Sequence, residues 1–212
     1  MHKLASLLLL VAAPAFAQPG PAPAPSAERP APRAIGTWAD WEAFAAREAG
    51  GAVCYALSRP FSSIASVGFA LTAYPIGVER GWVSRTQAVD RTLTTLRFFR
   101  DLPQGTQATG QGGLRGFYYH FLDMETGHRY DTWVELSSVD TALLMMGVLF
   151  AQSYYDRDEA REREIRELAE QLYRRVDWAW LQRRPPLVSM GWFPESGFIE
   201  HDWRGYNEAM LL

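Results

Sequence analysis

The sequence predicts a mainly α protein made of stacked helical hairpins with a small β-hairpin insertion. Three observations carry this. Helical periodicity sets in after Pro60 and recurs in four long segments. Those segments alternate between apolar all round and apolar along one stripe. The connections between them hold much of the glycine, proline and tryptophan. A helix apolar on every side needs neighbours on every side, whereas a striped helix can lie outside. The alternation therefore describes an inner ring of helices backed by an outer one.

The chain begins differently. His2 and Lys3 precede an apolar run from Leu4 to Ala13, and Ala15-Phe16-Ala17 follows. Residues 1–17 form the expected secretory signal peptide, cleaved before Gln18. The apolar run is well short of the roughly 20 residues that span a bilayer, so the mature chain is expected in the periplasm or outside the cell, off the membrane. Residues 18–34 are a Pro/Ala-rich linker, extended and semi-rigid. Residues 35–60 form a short N-terminal segment with Trp38, Asp40, Trp41 and a Gly50-Gly51 turn, too few residues to bury a core alone. Cys54 is the one cysteine, so no intramolecular disulfide can form.

Residues 61–212 carry the main domain. The first inner helix is expected over 62–78, starting at a Ser cap, with Ile64, Val67, Phe69, Leu71 and Tyr74 spread around it. Pro75 should end or kink it near Tyr74. Residues 84–101 begin with Ser84 and Gln87 at capping-box spacing. They carry one stripe of Val89, Leu93, Leu96 and Phe99. Residues 138–155 are apolar all round again. Residues 158–176 show a narrow stripe (Ile165, Leu168, Ala169, Leu172, Val176) in a field of Glu and Arg spaced to pair along the helix. A third inner helix should begin near Tyr206. Of the connections, residues 102–137 hold a Gly-rich coil and two β-like runs around a turn at 124–127, a hairpin. Residues 177–205 are expected to be a loop rich in aromatics.

Charge and motifs narrow the function. The net charge is −3 with no basic patch, which argues against nucleic acid. There is no HExxH, no Cys/His cluster and no Gly-rich phosphate loop, so no metal and no cofactor is expected. The acids are more informative. If all inner helices run the same way, their N-terminal ends share one mouth. Glu135 and Asp140 flank the start of the second inner helix, Glu195 lies in the loop before the third, and Glu208 in its first turn. Tyr119, His120, Trp192, Trp203 and Tyr206 lie in the same connections. Paired carboxylates beside aromatic rings suit glycosidic bond cleavage, where one acid protonates the leaving oxygen and another activates water or attacks carbon. Plainer roles compete: an acid in a first helical turn is favoured without any function, and a lone His is most simply a hydrogen-bonded core residue.

Five stretches, SSIASVGFALTAYPIGVERGWVSR, GFYYHFLDMETG, ELSSVDTALLMMGVL, WFPESGF and GYNEAMLL, occur in order and resemble the bacterial glucoamylase-like proteins, which include β-1,2-glucan-degrading enzymes. The resemblance covers about residues 61–212. It implies an (α/α)₆ toroid, here incomplete, with a central cleft, a glucan or oligosaccharide substrate and inverting hydrolysis by two acids. It implies Glu208 as the better candidate for general acid, Glu135 and Asp140 as cleft-lining acids, and Tyr119, His120, Trp192, Glu195 and Tyr206 as substrate-binding. The segment GTWADWEAFAA…GGAVCYALSRP, residues 36–60, resembles instead the start of invasion-associated locus B proteins. A toroid needs twelve helices, and four plus the start of a fifth are present. The expectation is thus a truncated, frameshifted or fused product, inactive alone and inclined to self-associate through uncovered apolar surface. The alternative is a non-catalytic exported fragment or carbohydrate-binding module.

Overall fold

The computed structural model describes residues 33–38, 41–48, 51–58 and 61–211. The expected signal peptide and nearly all of the linker lie outside the described residues. Strands β1 (Arg33–Trp38), β2 (Trp41–Glu48) and β3 (Gly51–Ser58) form an antiparallel meander. Trp38 pairs with Trp41 at one bend and Glu48 with Gly51 at the other. Of the expected turn at Gly50-Gly51, Gly51 opens β3 and Gly50 lies outside the described residues.

Strand β4 (Phe61–Ser63) leads into α1 (Ile64–Glu79), and α2 (Arg85–Asp101) returns. Four short strands follow: β5 (Gly113–Leu114), β6 (Phe117–Tyr118), β7 (Phe121–Asp123) and β8 (Leu136–Ser137). Then come α3 (Ser138–Tyr154), α4 (Ala160–Arg175), a 3-10 turn over Trp178–Leu181, β9 (Gly191–Phe193) and β10 (Gly197–Phe198). Helix α1 packs on α3 and α2 on α4, so two hairpins lie side by side as an inner and an outer pair. This is an incomplete toroid of helical hairpins, as the polarity alternation predicts.

The two layers are held differently. In the inner layer the backbones nearly touch. A Cβ on Gly68 would lie 2.4 Å from the Leu143 carbonyl oxygen, and one on Gly147 would lie 2.1 Å from the Gly68 carbonyl oxygen. Only glycine fits at either position. In the outer layer, α2 opens with a full capping box: Ser84 and Gln87 exchange bonds of 2.9 and 3.1 Å. Its stripe of Val89, Leu93, Leu96 and Phe99 is buried, as is the α4 stripe of Ile165, Leu168, Ala169 and Leu172. Between them Arg85 grips the buried Glu162 with two bonds, 2.7 and 2.9 Å, and Arg97 and Arg161 pair across to Glu164 and Asp90.

Four expectations need correction. Helix α1 does not end at Tyr74. It runs through Pro75 to Glu79, and burial of Pro75 and Gly77 in the packed second half outweighs a proline cost of about 3 kcal/mol. Its start is not capped by a serine side chain. Ser63 makes no such bond, and the Ile64 N–H donates instead to the carbonyl of His120, 3.1 Å away. Apolar surface is uncovered on the inner helices, as the sequence predicts: Phe69, Ile76, Met146 and Phe150 are exposed, because α1 and α3 cover only one face of each other. The apolar stretch after Tyr206 is a single 3-10 turn, Glu208–Leu211, and the aromatic connection 177–205 holds short strands.

The expected hairpin is a composite. Leu122 bridges Arg129 around the turn, but β7 takes its longer partner from β4, and Tyr119 bridges Leu136. Strand β9 lies between β8 and β10. These small sheets stack the connections over the N-terminal ends of α1 and α3. Among the described residues no helix is long and apolar enough to cross a membrane.

Candidate active site

The rim where α1 and α3 begin is organised around His120, which follows β6. Its carbonyl accepts from the first amide of α1, and its own N–H donates to the Glu135 carbonyl at 3.0 Å. Its ring lies flat on Phe121, with centroids 3.9 Å apart. Nδ1 hydrogen-bonds Glu135 Oε1 at 2.9 Å, and Nε2 faces Asp140 Oδ1 at 3.4 Å. Burial works to lower the imidazole. The hydrogen bond to Glu135, with the charges of Asp140 and Glu135, outweighs it and raises His120 above its ordinary value.

Asp140 sits in the first turn of α3 and is doubly engaged. Its N–H donates to the Ser137 hydroxyl, the N-cap, while that hydroxyl donates to Asp140 Oδ2 at 2.6 Å. Ser137 is thus the cap, and the Asp140 carboxylate braces its hydroxyl through Oδ2 while Oδ1 is turned to His120. The ligand atoms of His120, Glu135 and Asp140 lie within 4.8 Å of one another. That is close enough for a cation by distance alone. Each ring nitrogen, however, faces its own carboxylate, Nδ1 through a hydrogen bond to Glu135 and Nε2 through an ion-pair contact with Asp140, and a cation would have to displace both.

Below the trio lies a residue that no local pattern announces. Arg129 has a side chain only 1% exposed. Its guanidinium donates to the carbonyls of Val134 (2.7 Å), Thr132 and Ala108, and grips both carboxylate oxygens of Glu195 at 2.6 and 3.2 Å. All five donors are used. Arg129 also lies over the rings of Tyr119 and Phe193. It thereby fixes the backbone immediately before Glu135. The hydrogen bond from Arg129 holds the Glu195 carboxyl below its usual range.

The expected site residues thus fall into three groups. His120, Glu135 and Asp140 come together. Trp192, on β9, pairs with Leu136 and packs half-buried against Trp180 at the core. Tyr119 and Glu195 are engaged in the support beneath: the Tyr119 ring is fully buried under Arg129, and burial pushes its phenol up. Tyr206 is 93% exposed, and Glu208, also exposed, lies outside the trio. Trp203 anchors the last connection through an indole N–H to Ser138 Oγ, 2.9 Å.

Sequence reading missed Trp133. It is 54% exposed, two residues before Glu135, and is propped by Phe61, Phe121 and Tyr130 at 5.7–6.3 Å between ring centres. Its signal was present in sequence: a large aromatic in a polar stretch, DTWVE, just ahead of an acid.

No family model matches the chain. It is 28% identical over 153 residues to an exo-β-1,2-glucooligosaccharide sophorohydrolase (non-reducing end) from Parabacteroides distasonis, over 68% of this chain and 20% of that protein. Among solved structures, a protein assigned as a glucoamylase from Bacteroides uniformis shares 26% identity at a TM-score of 0.64, over 73% of this chain and 37% of that one. An endo-β-1,2-glucanase from Chitinophaga pinensis, seen with sophorotriose and glucose, gives 0.63 at 22% identity, over 72% and 35%. That last likeness is one of fold. The chain spans about a fifth of the curated relative and little more than a third of these structures. The fold is similar to that of glucoamylase-like (α/α) toroids over part of their length. Within that class, the chain is similar to proteins that include β-1,2-glucan hydrolases.

Proposed function

We propose that this chain is an exported glycoside hydrolase-like protein acting on β-1,2-linked glucan through paired carboxylates at the α1/α3 rim. One observation carries the reading: Glu135 and Asp140 converge on His120 at the shared N-terminal rim of two inner helices, with the exposed ring of Trp133 beside them. An aromatic face stacks on the apolar face of a sugar, and carboxylates at its edge can activate water. The likeness to a sophorohydrolase supports the linkage. Glu208 is the better candidate for proton donor in this reading. An inverting pair stands roughly 6.5–9.5 Å apart, which leaves room for the attacking water.

The test is a titration of the full chain with β-1,2-gluco-oligosaccharides and, separately, maltooligosaccharides, followed by indole and imidazole resonances and by product analysis. Saturable binding of the β-1,2-linked series that disappears in Trp133→Ala, with release of shorter sugars, supports the reading. No saturable binding of either series would sink it. Binding without turnover, unchanged by Glu135→Gln, favours the alternative of a carbohydrate-binding module. Export belongs to the same proposal and rests on residues 1–17. N-terminal sequencing of exported material should begin at Gln18, and a mature chain still starting at Met1 would overturn it.

A further inference from the structure

His120 has one feature that the sugar-cleft reading does not require. Both of its ring nitrogens face carboxylate oxygens, Glu135 at 2.9 Å and Asp140 at 3.4 Å. A neutral imidazole has one N–H and one lone pair. Neutral, it would point that lone pair at one of two acids. Only the imidazolium offers an N–H to each.

We propose that His120 is a positioning residue whose imidazolium holds Glu135 and Asp140 as a matched pair of acceptors at the rim, so that the geometry of both acids depends on a single proton. The inference rests on the glycosidase reading for its purpose, though not for its chemistry.

The surroundings leave His120 little freedom to do otherwise. Its backbone is bonded on both sides, to Ile64 of α1 and to Glu135. Phe121 of β7 covers one ring face. From the connection before β8 comes Glu135, and from α3 comes Asp140; these two carboxylates are the charges acting on the ring. Helix α1 presents its first amide to the His120 carbonyl. The ring therefore cannot turn away when it loses its proton. The N–H would be kept on Nδ1, where the bond is short, and the lone pair would then face Asp140. Asp140 would be left with Ser137 as its support, and the pair would loosen from that side. A second consequence concerns roles. Two acids that both accept from the imidazolium do not donate, so the proton for the leaving oxygen must come from outside the trio.

The experiment follows the histidine Cε1–H resonances of the full chain against pH, with His120 assigned by its absence in His120→Gln. The expected midpoint for His120 lies above the ordinary value of about 6.5. Glu135→Gln and Asp140→Asn should each move it down. Should one variant fail to fold, the other still tests the idea, and thermal melts report which. A midpoint at or below the ordinary value, or one indifferent to both substitutions, overturns the proposal. Sugar affinity supplies the readout that a merely structural histidine would not move: it should fall as pH rises through that same midpoint, and His120→Gln should flatten the profile. A raised, acid-dependent midpoint in a chain that binds no glucan would support His120's role while rejecting the glycosidase reading. Glucan binding with a normal midpoint would do the reverse.

Discussion

The inner and outer helix pairs solve the same packing problem with opposite chemistry. Helices α1 and α3 meet at Gly68 and Gly147, where each backbone occupies the space a side chain would need. Helices α2 and α4 meet through apolar stripes flanked by Arg–Glu and Arg–Asp pairs. The inner seam is fixed by sterics, which neither salt nor pH can tune. The outer seam is partly electrostatic and responds to both. Layers built this way tolerate change unequally, and four substitutions would break or sharpen the contrast.

The largest effect is expected at the inner seam. Gly147→Ala places a methyl group against a backbone carbonyl that cannot retreat unless the helices part. Over-packing usually costs about 1–3 kcal/mol. With backbone on the far side, the loss should exceed that range, and thermal melting should lose its cooperativity. A sharp melt near the parent midpoint would show that the helices can separate freely.

Next comes the one outer pair that is buried. Glu162→Ala leaves Arg85 with only the Tyr154 carbonyl and the more distant, exposed Asp156, so the loss should fall at or below the roughly 3–5 kcal/mol of a fully broken buried pair. The hydrogen bond from Arg85 holds the Glu162 carboxyl below its ordinary value against the opposing effect of burial. Its stabilisation is therefore present above the unfolded-state value and lost as pH falls through the lowered folded one. The variant's deficit in urea unfolding should be full at pH 7 and shrink on acidification below about 4.3. A deficit constant from pH 7 to pH 3 would assign the effect to packing.

Arg129→Lys tests the support beneath the rim. Lysine brings three donors where five acceptor contacts exist, and a point charge where Glu195 is gripped by a fork. Each buried carbonyl left unpaired costs about 1–3 kcal/mol. The expected loss is about 2 kcal/mol with weakened glucan binding, since the backbone before Glu135 is released. Unchanged binding in a destabilised variant would confine Arg129 to a folding role. The smallest effect belongs to the exposed outer pairs. Arg97→Ala should barely shift the thermal midpoint, and any difference should vanish in molar salt.

Much of this architecture was legible before any coordinates. Periodicity and the Ser84/Gln87 box place α2, α3 and α4 to within two residues, because these signals are local. The inner and outer assignment follows from polarity around each helix. What escaped was non-local. Nothing near Pro75 announces that its helix will be held by packing on both sides of it. Nothing near Arg129 announces that Ala108 and Glu195 will close around it from 21 and 66 positions away. The pairing of β8 with β9 joins residues more than fifty positions apart. At the site, the acids were found because first-turn carboxylates stand out against apolar helices. Tyr119 and Glu195 were assigned to sugar because the sequence could not show Arg129 between them. His120 was visible as a residue and invisible as a bridge, since its two partners arrive from different elements.

The convergence of α1 and α3 on His120 has an electrostatic consequence. Two parallel helices end their N-termini at the same rim, and each terminus carries about half an elementary positive charge. With the imidazolium proposed for His120, the trio carries one net negative charge. The sum is close to zero, so the rim offers neither an anion trap nor a cation trap, and field lines from one helix end close on the acids of the other. A neutral polyol is the ligand least penalised by such a surface. A uronate gains nothing there over glucose, and selectivity must come from ring shape and hydroxyl geometry, with long-range attraction contributing little.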